Sequence, residues 1–218
     1  MKKLFFSALL LIASFNLMAQ APYVSFNTGL NLPSLRESMG SDSNGDDIYS
    51  SYGKGLPLNL TVGAHLEDHW GAELGLEYNI GFNSEIDQSP VTKARANQFR
   101  LVPSVVVFTG TSGLDFYAKF GLNVALSSKF TAEENVAGNL VVSEYKGYST
   151  IGYRGSFGAS YKLTNNLFFT GEVQMNAMRV KVKETLILGN VTSYPKEDTF
   201  TLPYSSIGAN FGVKFVLF

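Results

Sequence analysis

Cysteine is absent from the sequence, which removes disulfides, thiolate metal sites and thiol nucleophiles together. Its absence also removes the lipid-attachment residue that a bacterial lipoprotein carries just after its signal peptide. Charge of one sign is missing too. Lys and Arg total 17 against 18 Asp and Glu, a formal net charge of -1, and a nucleic-acid partner would call for a basic excess. Histidine is scarce, with only His65 and His69. Past the first twenty residues no apolar run approaches the length of a membrane-spanning helix. If the remaining chain crosses a membrane, it must do so as a closed barrel, the form in which strands satisfy their backbone groups in lipid.

The first residues read as an address. Lys2 and Lys3 precede an apolar run from Leu4 to Phe15, too short to span a bilayer, and small Ala19 follows. This pattern predicts a signal peptide over residues 1–19, cleaved near Ala19, and an exported domain over 20–218. An uncleaved anchor is the alternative, disfavoured by the short run.

What the mature chain has is period two. From Trp70, every second residue is apolar through Ala72, Leu74, Leu76, Tyr78, Ile80 and Phe82. A second run passes through Leu114, Phe116, Ala118, Phe120, Leu122, Val124 and Leu126. Similar faces begin at Leu56, Phe99, Ile151, Leu167 and Ile207, and a weaker one runs from Val24 to Leu32. Strict alternation marks strands with unlike faces. The count predicts an all-β fold, a closed antiparallel up-and-down transmembrane β-barrel of about eight strands. Proline at 103 removes a ladder donor, so a bulge or lost hydrogen bond is expected there.

A soluble barrel shares this period with its apolar face inward. Here the apolar faces carry no charge, whereas a soluble outer wall would be rich in lysine and glutamate. Connections alternate too, short near 67–69, 109–113 and 162–166, and long near 34–55, 83–97, 127–147 and 184–203. That is the rhythm of periplasmic turns and extracellular loops.

On these residues the chain resembles the small outer-membrane β-barrel families that include the PorT-like proteins. The likeness covers about Gln20 to Phe218 and includes the closing alternating segment Gly208 to Phe218. The resemblance implies residence in the bacterial outer membrane and insertion by the barrel-assembly machinery, which reads a terminal aromatic. It implies no catalytic motif, and PorT-like relatives raise assistance to a secretion system.

With the apolar faces toward lipid, the lumen receives Glu73, Glu77, Asp115 and Glu172 together with Arg100, Lys119, Arg154 and Lys214. An eight-stranded barrel is about filled by its own side chains. The balanced charges are therefore expected to form an ion-paired plug, with a narrow path for ions or small hydrophobic solutes as the alternative. Glu73 is expected to partner a base such as Arg100. Arg179, Lys181 and Lys183 continue an outward phase just above the apolar belt, where lipopolysaccharide phosphates would lie. A solvated strand end is the plainer alternative for these three.

No cofactor or metal is expected. The histidines fall at the first short turn, on the periplasmic side, away from where a lipid-modifying enzyme of the outer leaflet would place its base. The acidic segment Asp42 to Asp47 lacks the glycine and distal glutamate of a calcium loop. The expected function is structural or surface-interacting, without catalysis, and outer-membrane lipid is the expected surrounding partner.

Overall fold

The computed structural model describes residues 21–34, 37–41, 47–50, 52–85, 91–111, 113–136, 139–187, 190–193, 195 and 199–217. The predicted leader, most of the acidic segment 42–47 and Phe218 lie outside the described residues. Eight long strands carry the fold: β1 (Ala21–Pro33), β4 (Gly55–Glu67), β5 (Trp70–Gly81), β7 (Val91–Phe108), β8 (Leu114–Val136), β10 (Thr150–Lys162), β11 (Leu167–Ile187) and β13 (Thr201–Val216). Five short ones extend them or sit between them: β2 (Glu37–Ser41), β3 (Asp47–Ser50), β6 (Ser84–Glu85), β9 (Asn139–Gly147) and β12 (Asn190–Ser193).

All pairings are antiparallel, and the ring closes where Tyr23 to Pro33 of β1 pair with Val216 to Ser206 of β13. Closure leaves no sheet edge in the lipid-facing zone, which is the condition for strands to cross a bilayer. One hydrogen-bonded row starts at Pro22 and passes Ala64, Ala72, Val105, Phe120, Gly155, Met175 and Ile207. It returns to β1 at Leu32, well along the strand from where it began. This stagger tilts the strands by about 40° from the barrel axis and sets a bore that side chains fill.

The outward faces are those read from the alternation. Phe120, Ile151, Tyr153 and Phe157 are each 60–65% exposed. A continuous apolar surface of this kind is stable only against lipid or a partner. On the same strands the inward positions include buried polar Asn123, Arg154 and Ser160.

Above this belt the structure departs from the expected long loops. β7 begins at Val91, and β8 runs on to Val136 before turning into β9. β9 and β10 are one descending strand interrupted at Tyr148 and Ser149, where Tyr148 N donates to Lys181 O at 2.8 Å and Ser149 Oγ to Ala125 O at 2.8 Å. Segments 83–97, 127–147 and 184–203 are thus largely strand, and 34–55 holds the β2–β3 hairpin. Sheet hydrogen bonds persist in water, so the ladder has no reason to stop at the membrane surface. What changes there is polarity. Along β11, inward Glu172, Gln174 and Asn176 give way to inward Met178, Val180 and Val182, while outward Val173 and Met175 give way to Arg179, Lys181 and Lys183. The phase is unbroken and the medium outside has changed from lipid to water.

Of the bulge or lost hydrogen bond expected at Pro103, the second is found: register is continuous across Pro103 on the β5 side, while on the β8 side pairing lapses at Val102 and Pro103 between Leu101–Val124 and Ser104–Gly121. The β7–β8 register shifts fall elsewhere, between Val91 and Lys93 and between Phe99 and Arg100. The short turns agree with the sequence reading. At the β7–β8 turn Gly110 adopts φ 71°, and an added Cβ would lie 3.0 Å from the His69 ring. Gly110→Ala is expected to cost about 1–2 kcal/mol through the left-handed backbone alone, read as a lower urea midpoint.

A charged lumen between two apolar layers

The centre of the barrel is held by Glu77, which is fully buried. The register sets Glu77 opposite Arg100, and its carboxylate accepts hydrogen bonds from Arg100 Nη2 and, across the bore, from Arg154 Nη1. Arg154 continues to Glu172 Oε1 at 3.4 Å and to Gln174 Oε1. Lys119 Nζ extends the chain, 3.0 Å from Glu172 Oε2 and 3.0 Å from Glu73 Oε2. Tyr23 donates its hydroxyl to Glu73 Oε1 at 2.7 Å. Three carboxylates thus face three cations in one connected group, the arrangement that offsets the desolvation of buried charge.

The partner of Glu73 differs from the one expected. Glu73 pairs in register with Ser104, not with Arg100, so its cation is Lys119. Because Lys119 also holds Glu172, Glu73→Ala leaves no cation alone. We expect it to cost about 1–2 kcal/mol, the range for losing a partner from a hydrogen-bonded charge, with the urea midpoint as the readout.

Two of the eight lumen charges read from the sequence stand apart. Asp115 accepts hydrogen bonds from Thr109 Oγ1 at 2.8 Å and Gly110 N at 3.0 Å, and so fastens the β7–β8 turn. Lys214 donates to Ser160 Oγ at 3.5 Å and lies 5.1–5.6 Å from the ring centres of Phe168, Tyr23 and Phe108. Ring quadrupoles attract a cation at this range, so aromatic faces hold the ammonium near the periplasmic end.

The Tyr23 and Phe108 rings belong to the lower layer, in which buried Tyr23, Val106, Phe108 and Tyr117 pack with Val216. The His65 ring stacks on Phe108 at 4.1 Å, and His69 Nδ1 lies 3.2 Å from Phe108 O. Both histidines are committed to the turn end. Among the described residues, no group of three or more His, Asp and Glu could hold a metal ion.

Toward the outside, a shelf of amides covers the charges. Gln174 Nε2 donates to Asn31 Oδ1 at 2.9 Å, Asn31 Nδ2 to Asn79 Oδ1 at 3.1 Å, and Asn123 Nδ2 to Asn176 Oδ1 at 2.9 Å. The upper apolar layer follows, built from Phe130, Met178, Val180, Val182, Leu202 and Tyr204 with small Ala94, Ala96 and Ala125. Tyr52, preceding β4, completes it edge-on to Phe130 at 5.1 Å, and its backbone N donates to Pro203 O at 3.3 Å. Sequence reading missed this layer. Its signal was there, as alternation with inverted polarity beyond the belt.

Between the layers a cavity of ≈ 10 Å³ remains beside Glu73, Lys119 and Glu172, about the room that one water requires. Arg179, Lys181 and Lys183 project outward from β11 above the belt, and Lys183 Nζ reaches Glu184 at 3.5 Å.

With this geometry in view, the chain belongs to the outer membrane protein beta-barrel domain family, whose profile matches residues 7–215. It is a bacterial outer-membrane barrel. Among solved structures it is similar to the outer membrane protein OprG from Pseudomonas aeruginosa, at 14% identity and a TM-score of 0.53, covering 91% of this chain and 97% of that one. It is also similar to the outer membrane protein AlkL in lipid bilayers, at 11% identity and a TM-score of 0.50, covering 91% of each. Neisserial surface protein A shares 15% identity at a TM-score of 0.48, over 90% of this chain and 97% of that chain. At these identities the likeness is one of fold. No curated protein sequence matches the chain.

Proposed function

We propose that this barrel is a non-conducting, non-catalytic protein of the outer membrane, with a structural or surface-interaction role carried by its extended extracellular hairpins. The observation that carries the reading is the layering of the lumen: a connected ion-pair network covered below by aromatic side chains and above by an apolar core. A hydrated ion would have to shed its water to pass the upper layer, at a cost that its apolar side chains do not repay. At the lower layer the Lys214 ammonium on the rings would repel a cation. The charges serve to fill and rigidify the bore, and the strands above the membrane stand on that rigid base.

The same proposal includes removal of residues 1–19 near Ala19, insertion by the barrel-assembly machinery and the finer likeness to PorT-like proteins. A second reading has one observation in its favour. The upper interior is apolar, so if Tyr52 and its neighbours moved apart, small hydrophobic solutes would find a matching lining. Swelling of proteoliposomes separates the two. Vesicles with the folded chain are expected to swell in small sugars and salts no faster than empty ones. Faster swelling would contradict the sealed barrel and promote a passage.

A further inference from the structure

The outer wall just above the apolar belt carries a collar of cations. On β11, Arg179, Lys181 and Lys183 follow Val173 and Met175 on the outward face. On β8, Lys129 comes soon after Leu126, the last apolar outward residue of its run. The descending strands show the same order from the other direction. Lys93 and Arg95 precede Phe99 on β7, and Lys146 of β9 precedes Ile151 of β10. Lys129 and Lys146 are partners in register, so the collar is continuous from β8 to β9. At about 3.3 Å per residue and a tilt near 40°, the belt from Leu114 to Leu126 rises about 30 Å, close to the height of a lipid-facing band.

The acids of the same strands begin among the upper members of the collar. Glu133 lies beyond Lys129 on ascending β8, and Glu184 lies beyond Lys183 on ascending β11. Glu144 comes before Lys146 on descending β9. Among the described residues of β7, β8, β9 and β11, the outward cations of the collar outnumber the outward acids Glu133, Glu144 and Glu184, two of which stand in register with collar residues, Glu133 opposite Lys93 and Glu184 opposite Lys146. The cations of β11 cannot turn inward, since Val180 and Val182 fill the bore at 0% exposure. Lys93, Lys129, Lys146 and Lys183 each lie beside a glutamate at 2.7–4.0 Å. Side chains in these pairs are 25–64% exposed, and such pairs contribute little and rearrange readily.

We infer that this collar on β7, β8, β9 and β11 is a binding surface for the phosphates of lipid A in the surrounding outer leaflet. An anion at the interface meets several cations at once, neighbours on one strand face about 7 Å apart and on adjacent strands about 5 Å apart. Charge-assisted hydrogen bonds to phosphate oxygens form there, while the acyl chains lie on the belt below. This surface is separate from the lumen and stands or falls independently of the sealed-bore reading.

The test titrates the full folded chain in detergent micelles with bisphosphoryl lipid A, monophosphoryl lipid A and the dephosphorylated lipid. The triple variant Arg179→Gln/Lys181→Gln/Lys183→Gln is compared with Lys162→Gln at the periplasmic end, heat-dependent gel mobility confirming the fold. Bisphosphoryl lipid A is expected to bind the unaltered chain and Lys162→Gln at least tenfold more tightly than the dephosphorylated lipid. The triple variant is expected to lose that preference. If the triple variant does not fold, Lys129→Gln/Lys146→Gln carries the same expectation. Unchanged binding by the variant, equal binding of the dephosphorylated lipid, or full competition by millimolar inorganic phosphate would overturn the inference.

Discussion

Glu77→Ala is expected to destabilise the barrel by about 3–5 kcal/mol, the cost of leaving a buried charge without its partner. Arg100 depends on Glu77 for its carboxylate, and its Nε and Nη1 have no hydrogen-bond partner among the described residues. Its remaining contact is the Tyr204 ring, 5.1 Å from Cζ. Arg154 is better protected, since Glu172 and Gln174 stay in place. The double variant Glu77→Leu/Arg100→Leu should recover a large part of the loss, because replacing a whole buried pair by apolar groups is often neutral. Urea unfolding in detergent gives both numbers. A loss below about 1 kcal/mol for Glu77→Ala would match a solvated charge pair, and would mean that water fills the bore.

The second large effect is expected from Phe130→Ala, at about 3–5 kcal/mol, the range for an aromatic removed from a packed core. Phe130 is fully buried at the centre of the upper layer, edge-on to Tyr52. This layer lies above the lipid, so water is the medium outside it and the hydrophobic effect acts there as in a soluble protein. Phe157 offers the contrast, pointing away from the bore with 60% of its surface exposed. In lipid an acyl chain takes the place of its ring, so Phe157→Ala is expected to cost clearly less. Equal losses at the two positions would place Phe130 outside a packed core and remove the upper seal.

The membrane-crossing halves of the strands were legible because two constraints act on alternate residues there. Lipid demands apolar side chains outside, and a narrow bore demands small or paired polar ones inside, so Leu114 to Leu126 show an unmixed period of two. The upper halves were not legible by the same rule. Once the outside is water, Lys129 and Lys146 face out and Phe130 and Val182 face in, and a reader who equates apolar with outward loses the strand. Pairing in the lumen was hidden for another reason. Glu73 and Glu77 share one face, and only the register decides that Glu77 meets Arg100 while Glu73 meets Ser104. The contact from Arg154 to Glu77 spans the bore between strands that are not neighbours. Tyr52 sits outside every alternating run, so its place in the upper layer had no periodic signal.

Single-channel recording tests the sealed lumen most directly. The full chain, folded by the criterion of heat-dependent gel mobility, is inserted into planar bilayers and held under voltage in molar salt. The expected trace is flat, without discrete steps, for the unaltered chain and for Glu73→Gln alike. Discrete steps whose size shifts on Arg100→Gln or Glu73→Gln would show ions passing through the charged network, and the account of a plugged barrel would be wrong.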